Sequence, residues 1–353
     1  MVGLILWEGF ETIILPRSVS RGIRLTRIFF TSFWSIWRGI ARLLPKEEDR
    51  ESFYAYFGPL SLIFLLVIWA SLLVIGFGCI QLSHGIGRMT NAHSIYDVFY
   101  YSGVTFFTLG YGDIVPVTRF GKFWAVVEAG TGFGFLAIVI GYLPVLYQTF
   151  SRREVAISLL DARAGSPPTA TELLVRYGQV EDLSKLGDLL REWEQWTSDV
   201  LESHLSYPVL AYYRSQHSRQ SWIAALTAML DVTAAIQSGV KDAPYWQARL
   251  TFAMARHAIV DLTMVFHTPP LVHMEDRLPP EMLDEMRRRL QEAGVPFCEE
   301  PSAEHELYEL RRSYEPYIAA LAKRFEMPLP PWVMYDPLPD DWQTTGWDDG
   351  ILK

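Results

Sequence analysis

Two stretches of this 353-residue chain are long and apolar enough to cross a bilayer, and they limit its possible folds more than any other feature. Leu60 to Ile80 is 21 residues without a charge. As a helix rising about 1.5 Å per residue, it spans the roughly 30 Å of a hydrocarbon core. Phe123 to Leu146 carries one charge, Glu128, and is expected to break toward its end at Pro144. Core helices of such length usually keep a polar stripe, and neither stretch has one, so both read as membrane crossings.

Basic residues set the expected orientation. Arg17, Arg21, Arg24, Arg27, Arg38, Arg42, Lys46 and Arg50 precede the first crossing, whereas only Arg88, Arg119 and Lys122 lie between the two. Both termini are therefore expected in the cytoplasm, with the connecting loop outside. The opening MVGLILWEGFETIIL is apolar but has no basic residue before it and no small-residue cleavage pattern after it, which argues against a secretory signal. From Arg21 to Leu44, the side chains of Phe29, Phe33, Ile36, Trp37, Ile40 and Leu44 recur at helical spacing with arginines beside them. This pattern predicts an interfacial amphipathic helix at the inner headgroup layer; a third, tilted crossing is the other reading.

Composition bounds the remainder. A net charge of −9 argues against a nucleic-acid partner, which needs clustered Lys and Arg. Cys79 lies in the first crossing and Cys298 beyond the second, so they are not expected to pair. From Ser151 onward, 20 basic side chains face 31 acidic ones, as in a soluble acidic portion. Helical periodicity runs over 181–204, 208–216, 219–238, 244–266, 279–293 and 304–326, after a break at SPPTA (166–170) and an expected cap at Thr171. Almost nothing alternates with period two, so the fold class is all-α. No G-x-G-x-x-G follows a strand, and no nucleophile, histidine and acid are spaced as in an enzyme, so neither catalytic residues nor a cofactor are assigned. His257, His267 and His273 with Asp261 and Glu275 match no closed metal motif, and the same holds for Asp336, Asp340, Asp341, Asp348 and Asp349. These read as packing, surface and tail residues.

The loop between the crossings is NAHSIYDVFYYSGVTFFTLGYGDIVPVTRFGK, with Thr105-Phe106-Phe107-Thr108-Leu109-Gly110-Tyr111-Gly112-Asp113 at its centre. It resembles the signature of the prokaryotic two-transmembrane-helix potassium channels: an apolar helix, a short pore helix, a filter and a second apolar helix. The resemblance covers Leu60 to Leu146, and IVPVTRFGKFWAVVEAGTG follows the family's path from filter to inner-helix glycine without a gap. It implies passive potassium conduction in a bacterial inner membrane, with potassium as the permeant ion and no enzymatic activity. One chain supplies one filter strand and the site needs four, so the implied partner is the chain itself, as a homotetramer.

The residues carry a physical logic of their own. A pore that strips water from a cation must replace it with oxygens of similar field, and a row of backbone carbonyls does so without a trapping charge. Consecutive carbonyls point the same way only if the backbone alternates in handedness, which Gly110 and Gly112 tolerate. The expected ion ligands are the carbonyls of Thr108, Leu109, Gly110 and Tyr111, with Gly112 completing the strand. A pore helix over about Ile95 to Phe107 is expected to aim its carbonyl end into the membrane interior.

Several positions depart from the family pattern. Leu109 replaces the usual valine or isoleucine, and Phe107 replaces a common threonine. Val104 stands where some relatives have an acid, so Asp113 is expected to take a hydrogen bond from Tyr100 or Tyr101, with Thr105 also in support. Val115 replaces an aromatic residue, which predicts weak external block by tetraethylammonium. Gly132 matches the family's hinge glycine, although close helix packing explains a glycine there equally well. Glu128, an ionisable group at membrane depth, is either protonated or hydrogen-bonded behind the filter, or lines the pore. No arginine-rich voltage-sensing helix is present.

The expected organisation is an N-terminal cytoplasmic segment (1–56), a pore domain (57–150), a linker (151–170), a helical cytoplasmic domain (171–326) and a Pro-, Trp- and Asp-rich tail (327–353). The competing reading is a membrane-anchored sensor or scaffold whose pore unit only tetramerises. The sequence names no regulatory ligand.

Overall fold

The structure, a computed structural model, describes residues 1–14, 25–179, 183–217 and 219–335. Arg17, Arg21, Arg24 and the tail aspartates from Asp336 onward lie outside the described residues. The described residues are all-helical, with isolated bridges at Thr90–Pro116 and Val240–Phe297 and no strands. The chain divides into two compact units, Met1–Gln148 and Thr149–Lys353.

In the first unit, α1 (Val2–Gly9) is followed by a π-helical turn (Phe10–Ile14), α2 (Leu25–Ala41), α3 (Glu47–Ala55), α4 (Phe57–Leu82) and α5 (Ile95–Phe106). Then α6 runs from Arg119 to Ala164 and continues into the second unit. Two helical stretches, Glu47–Leu82 and Arg119–Ala164, are long and apolar enough to cross a membrane. Helix α1, which periodicity did not reveal, places Ile5 in a cluster with Leu65, Trp69, Ala70, Leu73 and Phe106.

Helix α2 packs its aromatic stripe against α3 and α4. Trp37 stacks on Phe53, Phe33 meets Phe57 and Phe64, and Phe29 and Phe30 pack on the cluster around Leu65 and Trp69. Toward the start of α2 its contacts move toward the end of α4, so the two helices run antiparallel. The aromatic stripe thus meets a protein face of matching aromatic and aliphatic groups.

Helix α6 passes through Pro144 instead of breaking there. A proline inside a helix forfeits one backbone hydrogen bond, here toward Ile140, and an apolar helix of this length absorbs that loss. The expected linker is accordingly helical as far as Ala164, and the cap of the next helix is Thr169 rather than Thr171. Thr169 is extended, and its hydroxyl accepts from the Glu172 backbone N–H at 3.2 Å, while Thr171 is buried inside α7 (Ala170–Gly178).

The second unit continues with α8 (Ser184–Ser206), α9 (Trp222–Ser238), α10 (Tyr245–Val265), α11 (Pro280–Glu292) and α12 (Pro301–Phe325). The pattern over 208–216 is realised only as a 3-10 turn, Pro208–Tyr212, because the chain becomes extended at Tyr213. Helix α9 is apolar along nearly its whole length and forms the centre, with α7, α8, α10 and α12 packed around it.

Candidate ion-conducting site

The pore helix α5 is set by its first turn. Ser94 is extended and its hydroxyl accepts from the Asp97 N–H at 3.1 Å, while the Asp97 carboxylate accepts from the N–H groups of His93 and Ser94 at 2.9 and 3.0 Å. This reciprocal cap fixes where the helix starts and therefore where it delivers the chain. At its other end the N–H groups of Phe107 and Thr108 bond to the carbonyls of Gly103 and Thr105 at 2.9 and 3.1 Å. Leu109 N–H closes on the Val104 carbonyl at 2.9 Å.

From that point every second residue is left-handed: Thr108 at φ 58°, Gly110 at 61° and Gly112 at 81°. Glycine takes such dihedrals freely, whereas Thr108 is strained there. Alternating handedness turns successive carbonyls toward one side of the strand, in contrast to the opposed carbonyls of a β-strand. The side chains of Leu109 and Tyr111 are 54% and 67% exposed within one chain.

Of the two tyrosines expected to support Asp113, Tyr100 lies near the Asp113 carboxylate and Tyr101 is buried near Thr105, while the hydrogen bond that Asp113 receives goes to its backbone carbonyl. Sequence reasoning missed Asn91. Its amide Nδ2 donates to the Asp113 carbonyl at 3.3 Å, its Oδ1 accepts from Val115 N–H at 2.7 Å, and its own N–H donates to the Val115 carbonyl at 3.2 Å. With the Val117 N–H to Met89 carbonyl bond at 2.9 Å, the segment before α5 clasps the end of the strand. A lone asparagine 22 residues upstream carries no local signal for this role.

Gly132 on α6 lies against the backbone of Phe106, and a Cβ there would collide with the Phe106 carbonyl. Its glycine is explained by this close approach between α6 and α5. One turn earlier, Glu128 is 1% exposed and bonds to Ser102 of α5 and to Gln81 of α4, the latter at 3.4 Å. The acid sits behind the pore helix. His257 lies 3.5 Å from Asp261 on the same helix, and the described residues contain no group of three or more candidate metal ligands.

Residues 62–148 match the ion channel family Ion_trans_2. The chain is 26% identical over 270 residues to the uncharacterized membrane protein YdjJ of Bacillus subtilis (strain 168), covering 75% of each protein. It is also 37% identical over 78 residues to two-pore potassium channel 5 of Arabidopsis thaliana, covering 22% of this chain and 18% of the plant protein. No solved structure matches. Residues 62–148 are thus similar to an ion channel domain, and the two long apolar helices and the membrane-protein relative are in keeping with that similarity.

Proposed function

We propose that four copies of this chain surround one axis and form a potassium-selective channel of the bacterial inner membrane, with both termini cytoplasmic. The alternation of left-handed dihedrals at Thr108, Gly110 and Gly112, within TLGYGD and at the end of a capped pore helix, carries this reading. A strand of that handedness offers the carbonyls of Thr108, Leu109, Gly110 and Tyr111 as a ladder for a dehydrated cation. Four strands complete each coordination shell, and this chain has one signature.

Assembly is also supported by what a single chain leaves uncovered. Only 11% of the apolar stretch of α6 is buried, against 44% for the stretch ending in α4. Phe133, Leu136 and Ile140 stand open along it. Copies of α6 packing around an axis would cover part of this surface. The helical second unit then assembles subunits or biases the pore, and Val115 at the outer mouth leaves external tetraethylammonium a weak blocker.

Reconstitution of the purified chain into lipid vesicles tests the proposal. Tetramers are expected to pass potassium in preference to sodium, and Gly110→Ala, which forces a Cβ onto a left-handed residue at about 1–3 kcal/mol, is expected to abolish the flux. Intact tetramers without flux would favour the sensor or scaffold reading, and trimers would end the channel proposal.

A further inference from the structure

Ser102, fully buried on α5, touches two oxygen atoms on two other helices. Its Oγ is 2.7 Å from the Val74 carbonyl of α4 and also bonds to Glu128 Oε1 of α6. A serine hydroxyl has one proton, and a carbonyl oxygen can only accept. At 2.7 Å the proton belongs between Ser102 and Val74, since two acceptors at that distance would repel each other. The bond between Ser102 and Glu128 then needs a proton from the carboxyl group. Glu128 Oε2 accepts from the Gln81 amide, so one carboxyl oxygen donates and the other accepts, as in a neutral acid. No Lys, Arg or His side chain is among the hydrogen-bond partners of Glu128.

We propose that Glu128 is a neutral carboxylic acid and a positioning residue for the filter: it donates to Ser102, which donates to the Val74 carbonyl, tying α6, α5 and α4 into one hydrogen-bonded chain. The role rests on the channel reading, whereas the protonation state does not. Glu128 and Gly132 are one turn apart on α6, and their contacts Ser102 and Phe106 are one turn apart on α5. A hydrogen bond and a backbone contact thus hold the last turn of the pore helix, directly before the strand starts at Thr108.

Two measurements on the full-length protein in vesicles test this. The infrared difference between native protein and E128Q should contain the C=O stretch of a protonated acid, shifted by deuterium exchange. Carboxylate stretches in its place would overturn the proposal. In flux assays, E128A and S102A should lower potassium-over-sodium selectivity about tenfold, the worth of one buried hydrogen bond. E128Q, whose amide can donate to Ser102 and accept from Gln81, should restore it. An E128A tetramer with native selectivity, or an E128Q tetramer as impaired as E128A, would refute the positioning role. Native protein without any potassium flux would refute both the channel reading and that role, leaving the infrared result to decide the protonation state.

Discussion

The guanidinium of Arg153 and the imidazole of His204 meet 3.3 Å apart, Nη1 to Nε2, with both side chains buried in the second unit. An arginine can only donate, so His204 Nε2 is the acceptor, and its Nδ1–H donates to the Val200 carbonyl at 2.7 Å. The same guanidinium bonds to the carbonyls of Leu210 and Tyr213 at 2.9 and 2.8 Å. Glu154, 2.9 Å away, supplies the counter-charge. The last part of α6 is thus fastened to the turn after α8 by one arginine that requires a neutral histidine.

Acid should weaken that arrangement before it affects most carboxylates. Burial, with the nearby Arg153 charge, depresses the His204 pKa to about 3 from its ordinary 6.5. Between those values the unfolded chain binds the proton and the folded one does not. The stabilisation is therefore complete above about pH 6.5 and declines as pH falls toward 3, by about 1.4 kcal/mol per pH unit. Asp276, held below its ordinary value of 3.8 through its bonds to Arg311 and the Leu278 N–H, adds its own loss only at lower pH. Denaturant midpoints of the solubilised protein should fall from pH 7 to 5, and His204→Gln should flatten the trend. A native midpoint constant over that range contradicts the assignment.

The second unit also contains an ion network around α9. Arg277 grips Asp231 through both terminal nitrogens at 3.2 and 2.7 Å, reaches Glu315 at 3.1 Å and donates to the Pro330 carbonyl at 2.7 Å. Tyr314 Oη donates to Asp231 at 2.5 Å. Asp231 is fully buried, so Asp231→Ala removes the two-oxygen partner of Arg277, leaves Glu315 as its carboxylate contact and should cost about 3–5 kcal/mol in unfolding experiments. Replacing Asp231 and Arg277 together by leucine and methionine should cost less than the single change, because no uncompensated charge remains. Equal losses would mean that Arg277 is not held mainly by Asp231.

What could be read from the sequence was what the backbone or a local period dictates. The two apolar spans, the pore helix and the glycines at 110 and 112 announce themselves because each requirement lies within a few residues. Helices α9 and α10 fall within two or three residues of their expected limits, since an apolar period needs no knowledge of its neighbours. The left-handed Thr108 was hidden, because threonine does not advertise that conformation. The same is true of Asn91, Ser102 and Gln81, whose partners are 22 to 47 residues away. Their roles exist only once the helices have packed. The choice between Thr169 and Thr171 as cap likewise depends on where α6 stops.

Gly132 and Gly134 provide a contrast within one helix. A methyl at Gly132 would strike the Phe106 backbone, while one at Gly134 meets nothing within 4 Å in a single chain. Gly132→Ala should therefore push the pore helix, cost about 1–3 kcal/mol of stability and reduce ion flux. Gly134→Ala should leave the stability of the unit unchanged or raise it by up to about 1 kcal/mol, the helix preference of alanine over glycine. Thermal unfolding of the two variants decides the role of Gly132. If it serves only as a hinge, its alanine variant will be as stable as native and will differ only in opening.

Asn91 offers a graded test of the clasp at the Asp113 end of the strand. Its side chain makes one donor bond, to the Asp113 carbonyl, and one acceptor bond, from Val115 N–H. Asn91→Ala removes both, each worth about 1 kcal/mol net, and frees the residues that follow Gly112. Asn91→Asp keeps the acceptor for Val115 but loses the donor and sets a carboxylate against the Asp113 carbonyl. Discrimination between potassium and sodium should therefore fall in the order native, Asn91→Asp, Asn91→Ala if the Val115 bond dominates, as its shorter 2.7 Å length indicates. The reverse order of the two variants would place the weight on Asp113. Native selectivity in both would show that the backbone bonds of Asn91 with Val115, and of Val117 with Met89, hold the strand without the side chain.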